Sequence, residues 1–133
     1  MANAFFPKGR QAFATAQVNW PADTIIVDLV DMNDVPTFSL STFQFRSEIP
    51  AGARIATGTL TGLDALDGVL SADDVTLPTV TGDQAEALIV SKNTGSDATS
   101  PLLVFVDQAT GLPVTPNGGD ISIDWDDAGI GTL

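Results

Sequence analysis

Cysteine, histidine and tyrosine are absent from this 133-residue chain. Without cysteine there is neither a disulfide framework nor a thiolate metal site. Without histidine as well, the Ser-His and Cys-His nucleophile pairs and histidine-bound zinc are excluded. Positive charge is scarce, with Lys8, Arg10, Arg46, Arg54 and Lys92 set against seventeen acids for a net charge of −12. Phosphate backbones are bound by clustered Lys and Arg, so nucleic acid is not an expected partner. No apolar run approaches the roughly 20 residues of a membrane span, and Pro7, Lys8, Gly9 and Arg10 interrupt the start where a signal peptide would be apolar. No membrane association is expected.

What is present is aspartate, which accounts for fifteen of the seventeen acids. Aspartate favours turns and disfavours helix interiors, which points to strands joined by loops. The charge is uneven: residues 61–133 carry twelve acids against Lys92 alone, and residues 1–60 are nearly balanced. Such a surface favours solubility and a basic or salt-bridging partner.

The pattern of apolar residues predicts a mainly β chain. A short helix is expected in KGRQAFATAQ, ended by Asn19-Trp20-Pro21, with Phe5, Phe6, Phe13 and Trp20 anchoring it on a sheet. Residues 1–20 could alternatively form an arm that grips a neighbouring subunit. A buried strand is expected at 24–30, and Gly58 in ARIATGTLTG marks a bulge. DGVLSADDVTLPTV reads as strand, turn at Ala72-Asp73-Asp74, and strand. AEALIVSKN and PLLVFVDQ form the clearest pair, and DISIDWD the last strand. PTFSLSTFQF fits strand, bulge or anchored loop equally. About seven or eight short strands with turns every ten residues or so imply one domain over 1–133, an antiparallel β-sandwich or barrel with one short N-terminal helix.

No catalytic constellation stands out. A carboxylate pair could cleave glycosides, but nothing singles one pair out. Lys92 in SKNTG reads as exposed rather than as a Schiff-base lysine, and NGGD lacks the lysine and helix of a phosphate loop. Asp120, Ser122, Asp124 and Asp126 alternate with Ile121, Ile123 and Trp125, which reads as the wet side of a strand. A cation loop at Asn117 and Asp120 is the alternative. Placing Gly68 at position 6 of a calcium loop puts Leu63 and Ala65 where carboxylates belong, so Asp67-Gly68 reads as a turn. Neither a metal site nor a cofactor is expected, and no enzyme. Arg46, Arg54 and Lys92 are expected either to pair with local aspartates or to meet an acidic partner.

The blocks IPAGARIA, VTGDQAEALIV and TGLPVTPNGGDI, together with DTIIVDLVD and the N-terminal helix, resemble a family of small structural proteins of tailed-bacteriophage virions. MNDVPTFSLSTFQFRS departs from that pattern through its extra phenylalanines. The resemblance implies a non-enzymatic decoration (cement) protein, made in the host bacterial cytoplasm and carried on the capsid surface. Its implied partners are the major capsid protein and further copies of itself, as in a trimer. A tail, collar or head–tail connector component is the second reading, and a carbohydrate- or cation-binding attachment module the third. Phe5, Phe6, Lys8, Arg10, Phe38, Phe43, Phe45 and Arg46 are the expected contact residues, the cations facing acids on the shell.

Overall fold

The β-branched run IIVDLV forms strand β2 (Ile25–Val30), with all six residues buried. That is the first clue to the architecture of the computed structural model, which describes residues 4–107, 111–125 and 129–133. The other strands are β1 (Ala4–Phe5), β3 (Arg54–Thr59), β4 (Val69–Leu70), β5 (Val75–Leu77), β6 (Ala87–Lys92), β7 (Leu102–Val106), β8 (Ile121–Ile123) and β9 (Gly131–Thr132). Among the described residues a single α-helix, α1 (Pro7–Ala14), follows β1. Strands β1-β7-β6-β2-β3 make one sheet in that order, every pair antiparallel. Two ribbons, β4-β9 and β5-β8, lie outside it. The fold is therefore mainly β and sandwich-like. The sheet ends on β1 and β3, so the barrel alternative falls away.

A half-buried antiparallel strand alternates apolar and polar residues, yet β2, β6 and β7 read as nearly unbroken apolar runs. The reason is that the sheet is covered on both faces. On one face Ile25, Val27, Leu29, Leu88, Val90 and Val104 pack with Ala12 and Trp20 and with Leu70, Leu77 and Ile123 of the ribbons. On the other, Val30, Ala87, Ile89 and Phe105 pack under Val35, Phe43, Ile49 and Ala53 from the long connection between β2 and β3. Residues 31–53 contain only short 3₁₀ turns, which resolves PTFSLSTFQF as an anchored loop.

Two local expectations are corrected. The helix stops at Ala14, well before Asn19, because Ala16 adopts φ 61° and the Gln17 N–H turns back to the Ala12 carbonyl. The bulge opposite β2 falls at Ile55, since Leu29 pairs with Ala56 and Val30 with Arg54. Gly58 has another purpose: a Cβ there would lie 2.7 Å from Leu77 Cδ2, so its bare backbone lets β5 approach β3. The strands expected on either side of Ala72-Asp73-Asp74 are present as β4 and β5, pairing with β9 and β8 respectively. Asp67-Gly68 is a turn as expected, with Asp67 at φ 54° and the Val69 N–H bonded to the Leu66 carbonyl.

Gly9 gives a test of the helix seat. Helix propensity alone favours alanine over an interior glycine by about 1 kcal/mol. A Cβ at Gly9 would, however, lie 2.5 Å from the Leu102 carbonyl oxygen and 2.9 Å from Leu103 Cα, both backbone atoms of β7 or its bulge. Gly9→Ala should therefore destabilise the protein, by about 1–3 kcal/mol in urea titration, as overpacking does. A stabilised variant would mean that α1 does not sit this tightly on β7.

Candidate functional site

Asp28 is the odd residue of β2, a carboxylate in the middle of an apolar strand and 1% exposed. Its position on the face covered by the long loop brings it to Arg46, whose Nε and Nη2 donate to the two carboxylate oxygens at 2.8 Å each. Thr57 on β3 donates its hydroxyl to Asp28 Oδ1. Arg46 Nη1 reaches Asp97 Oδ1 at 2.7 Å, and Asp97 Oδ2 accepts from Arg54 Nη1 at 2.9 Å. Arg54 also donates from Nε and Nη2 to the Ile49 carbonyl. Two arginines and two aspartates thus tie β2, β3, the 31–53 loop and the 93–101 loop together. Arg46 is held protonated first by its hydrogen bonds to Asp28, and Asp97 is pulled below the usual carboxylate range first by its hydrogen bond to Arg46. Lys92 is also engaged, 3.2 Å from Asp23 and donating to the Gln17 carbonyl.

The aspartates have a further use. Asp120 Oδ1 accepts from Thr79 N, Asp74 Oδ1 from Trp125 N, Asp31 Oδ1 from Asn33 N and Asp23 Oδ2 from Asn19 N. They satisfy loop N–H groups that no ladder serves. Asp124 is exposed beside Ile123, as the alternation requires, and Asp120 is exposed but engaged; Asp126 lies outside the described residues. The loop alternative for a cation gains nothing, because Asn117 Oδ1 accepts from Gly119 N within its own turn.

The eight expected contact residues do not form one surface. Phe6, Phe38 and Phe43 meet in one aromatic cluster with Phe105, with ring centroids 6.1 Å apart for Phe6–Phe38, 5.3 Å for Phe38–Phe43 and 4.9 Å for the stacked pair Phe38–Phe105. Phe5 and Phe6 are buried, Phe38 and Phe45 half-buried. Arg46 belongs to the ion network. The proposed arm is therefore stitched into the domain, because β1 pairs with β7 and Phe6 is wholly enclosed. Arg10 is exposed, its guanidinium 5.4 Å from the centre of the Phe5 ring, and Lys8 is half-buried; among the described residues neither has an ion-pair partner.

A second group of acids was not visible as a group in the sequence. Asp31 is 4% exposed, and one oxygen from each of Asp31, Asp34 and Asp83 lies within 4.8 Å of the others. Three such oxygens fall short of the six to eight that calcium takes. Glu86 adjoins Asp31 from the start of β6 and accepts from Met32 N at 2.8 Å, while its Oε2 is buried with no hydrogen-bond donor. Burial, then the neighbouring Asp31 carboxyl, push Glu86 above the ordinary glutamate value of 4.5. A carboxyl whose folded pKa is raised weakens the fold once it ionises, so its contribution is best below the unfolded pKa and is lost as pH rises through the folded one. Glu86→Gln keeps an acceptor for Met32 N and removes the repulsion. The variant should gain about 1 kcal/mol at pH 7, or roughly 4 °C in Tm, and the gain should vanish below about pH 4. Equal gains at both pH values would contradict the repulsion.

No protein-family model and no curated protein sequence matches the chain. No helix among the described residues is long and apolar enough to cross a membrane.

Proposed function

We propose that this protein is a non-enzymatic contact component of a tailed-bacteriophage virion, a decoration protein that binds the outer shell and bridges major capsid subunits. The observation that carries the reading is the Asp28–Arg46–Asp97–Arg54 network. Its chemistry fixes long loops into a rigid surface rather than leaving charges open in a cleft. A protein that cements a preformed shell needs such pre-ordered area, because each loop ordered on binding would subtract from affinity. The strongly acidic surface suits a partner that offers cations, and Arg10 with Lys8 offers the complementary sign at one corner. Copies around a symmetric shell would multiply weak contacts into firm attachment.

The attachment-module reading is weakened by its aromatics. Sugar platforms use open rings, whereas Trp20 is 2% exposed with its Nε1 donating to the Ser71 carbonyl, and Trp125 is half-buried. The test is mass spectrometry and cryo-electron microscopy of purified particles. Hundreds of copies on the shell are the expected result. Density confined to one vertex would move the protein to the tail or connector, and absence from particles would refute the reading.

A further inference from the structure

An open cavity of about 340 Å³ between the 31–53 loop and the end of the main sheet is lined by Met32, Phe38, Phe105, Pro113, Glu86 and Asp107. Its walls combine two unlike chemistries. Phe38 and Phe105, stacked at 4.9 Å with 30° between their planes, offer an aromatic face, and Met32 and Pro113 extend the apolar wall. Glu86 supplies a carboxylate partly withdrawn from water: its Oε2 is buried beside Asp31, and its Oε1 accepts from Met32 N with a lone pair to spare. Asp34 and Asp83 add negative charge beyond Asp31. Among the described residues no Lys or Arg lines the cavity. Arg46 and Arg54 are bound to Asp28 and Asp97, Lys92 to Asp23, and Lys8 and Arg10 lie on α1.

An aromatic wall beside an uncompensated carboxylate is the environment that stabilises a desolvated organic cation, through the ring quadrupole and a charge-assisted hydrogen bond. The size is at the lower end of ligand pockets, which run from about 300 to 1,000 Å³, so it suits one side chain rather than a cofactor. We infer that this cavity is a socket for a single arginine or lysine side chain presented by a protein partner, its stem on Phe38 and Phe105 and its charge against Glu86. Arginine is favoured over lysine, because its planar guanidinium can stack on the ring pair and bond the carboxylate in the same pose. The partner that decorates or is decorated would then carry a protruding basic residue at the contact. That last step rests on the virion reading; the socket itself does not.

The test uses the full chain and a probe for each side chain, n-butylguanidinium for arginine and n-pentylammonium for lysine, with 1-pentanol as the neutral control. Binding is followed by ¹H–¹⁵N chemical shifts at moderate salt. The expected result is saturable shifts at Met32, Phe38, Glu86 and Phe105, with affinity for the guanidinium at least about fivefold above that for pentanol. Glu86→Gln, which the stability argument above expects to fold, should lose about tenfold in cation affinity and leave pentanol unchanged. Phe38→Leu keeps the apolar volume and should erase the preference for guanidinium over ammonium. Shifts scattered over the acidic surface, equal binding of pentanol, or unchanged cation binding by Glu86→Gln would each overturn the inference. Particles that carry the protein, together with a chain that binds no probe, would remove the socket and leave the decoration reading standing. The reverse pair of results would do the opposite.

Discussion

Replacing Arg46 by methionine should cost about 3–5 kcal/mol of stability, the scale for breaking a buried ion pair. The methionine keeps most of the apolar volume but leaves Asp28, 1% exposed, with Thr57 alone as a donor. A stranded carboxylate in that position bears its desolvation with no cation to offset it. In the parent, Asp97 and Asp23 have folded pKa values below their ordinary 3.8, Asp97 chiefly through Arg46 and Asp23 chiefly through the Asn19 N–H. Their stabilising contribution is present above the unfolded pKa and is lost as pH drops through the folded one. The double variant Asp28→Val with Arg46→Met removes both charges and should recover most of the loss, because a matched apolar pair avoids desolvation altogether. Urea titrations of the parent, both single variants and the double variant at pH 7 check this. An Arg46→Met protein as stable as its parent would show that the pair does not hold the loop.

The second large effect is at the N-terminus. Removing residues 1–6 deletes β1 and takes away Phe6, which is 0% exposed and sits edge-on to Phe38 and Phe105 at 6.1 and 6.4 Å. Truncating a buried phenylalanine to alanine alone costs about 3–5 kcal/mol. Losing the strand also exposes the β7 edge, including the Leu103 carbonyl that accepts from Phe6 N at 2.9 Å. The deletion should therefore unfold the domain at 37 °C or leave it with broadened amide resonances. Phe6→Leu, milder, should cost about 1.5 kcal/mol or less and keep the fold. A detachable arm would give the contrary result, a truncated chain with an unchanged melting curve.

The three central strands of the main sheet were legible from their apolar runs bounded by polar punctuation, and Ile25–Val30, Ala87–Lys92 and Leu102–Val106 fall where that pattern places them. The β6–β7 pair also stands as read, but apolar runs alone do not give the rest of the order or the edge strand Ala4–Phe5. The aromatic residues are ambiguous in the sequence for a related reason. Phe6 and Phe38 stand in segments broken by proline and polar residues, where one-dimensional pattern fits a core anchor and a contact residue alike. Only the return of the 31–53 loop across the sheet turns them inward. The ion network was hidden in the same way: Asp28, Arg46, Arg54 and Asp97 belong to four separate segments, and the one local hint was an aspartate breaking an apolar strand. The Asp31–Glu86 pairing likewise depends on the β2–β6 register, Val30 opposite Ala87.

The pairing of Ala4 with Phe105 also governs how the protein is made. β1 is made well before β7, so it stays without its neighbour until Leu102–Val106 has emerged. Contacts between such distant positions slow the search for the native state. The nascent polypeptide therefore carries Phe5 and Phe6 without their β7 partner until that strand has been made.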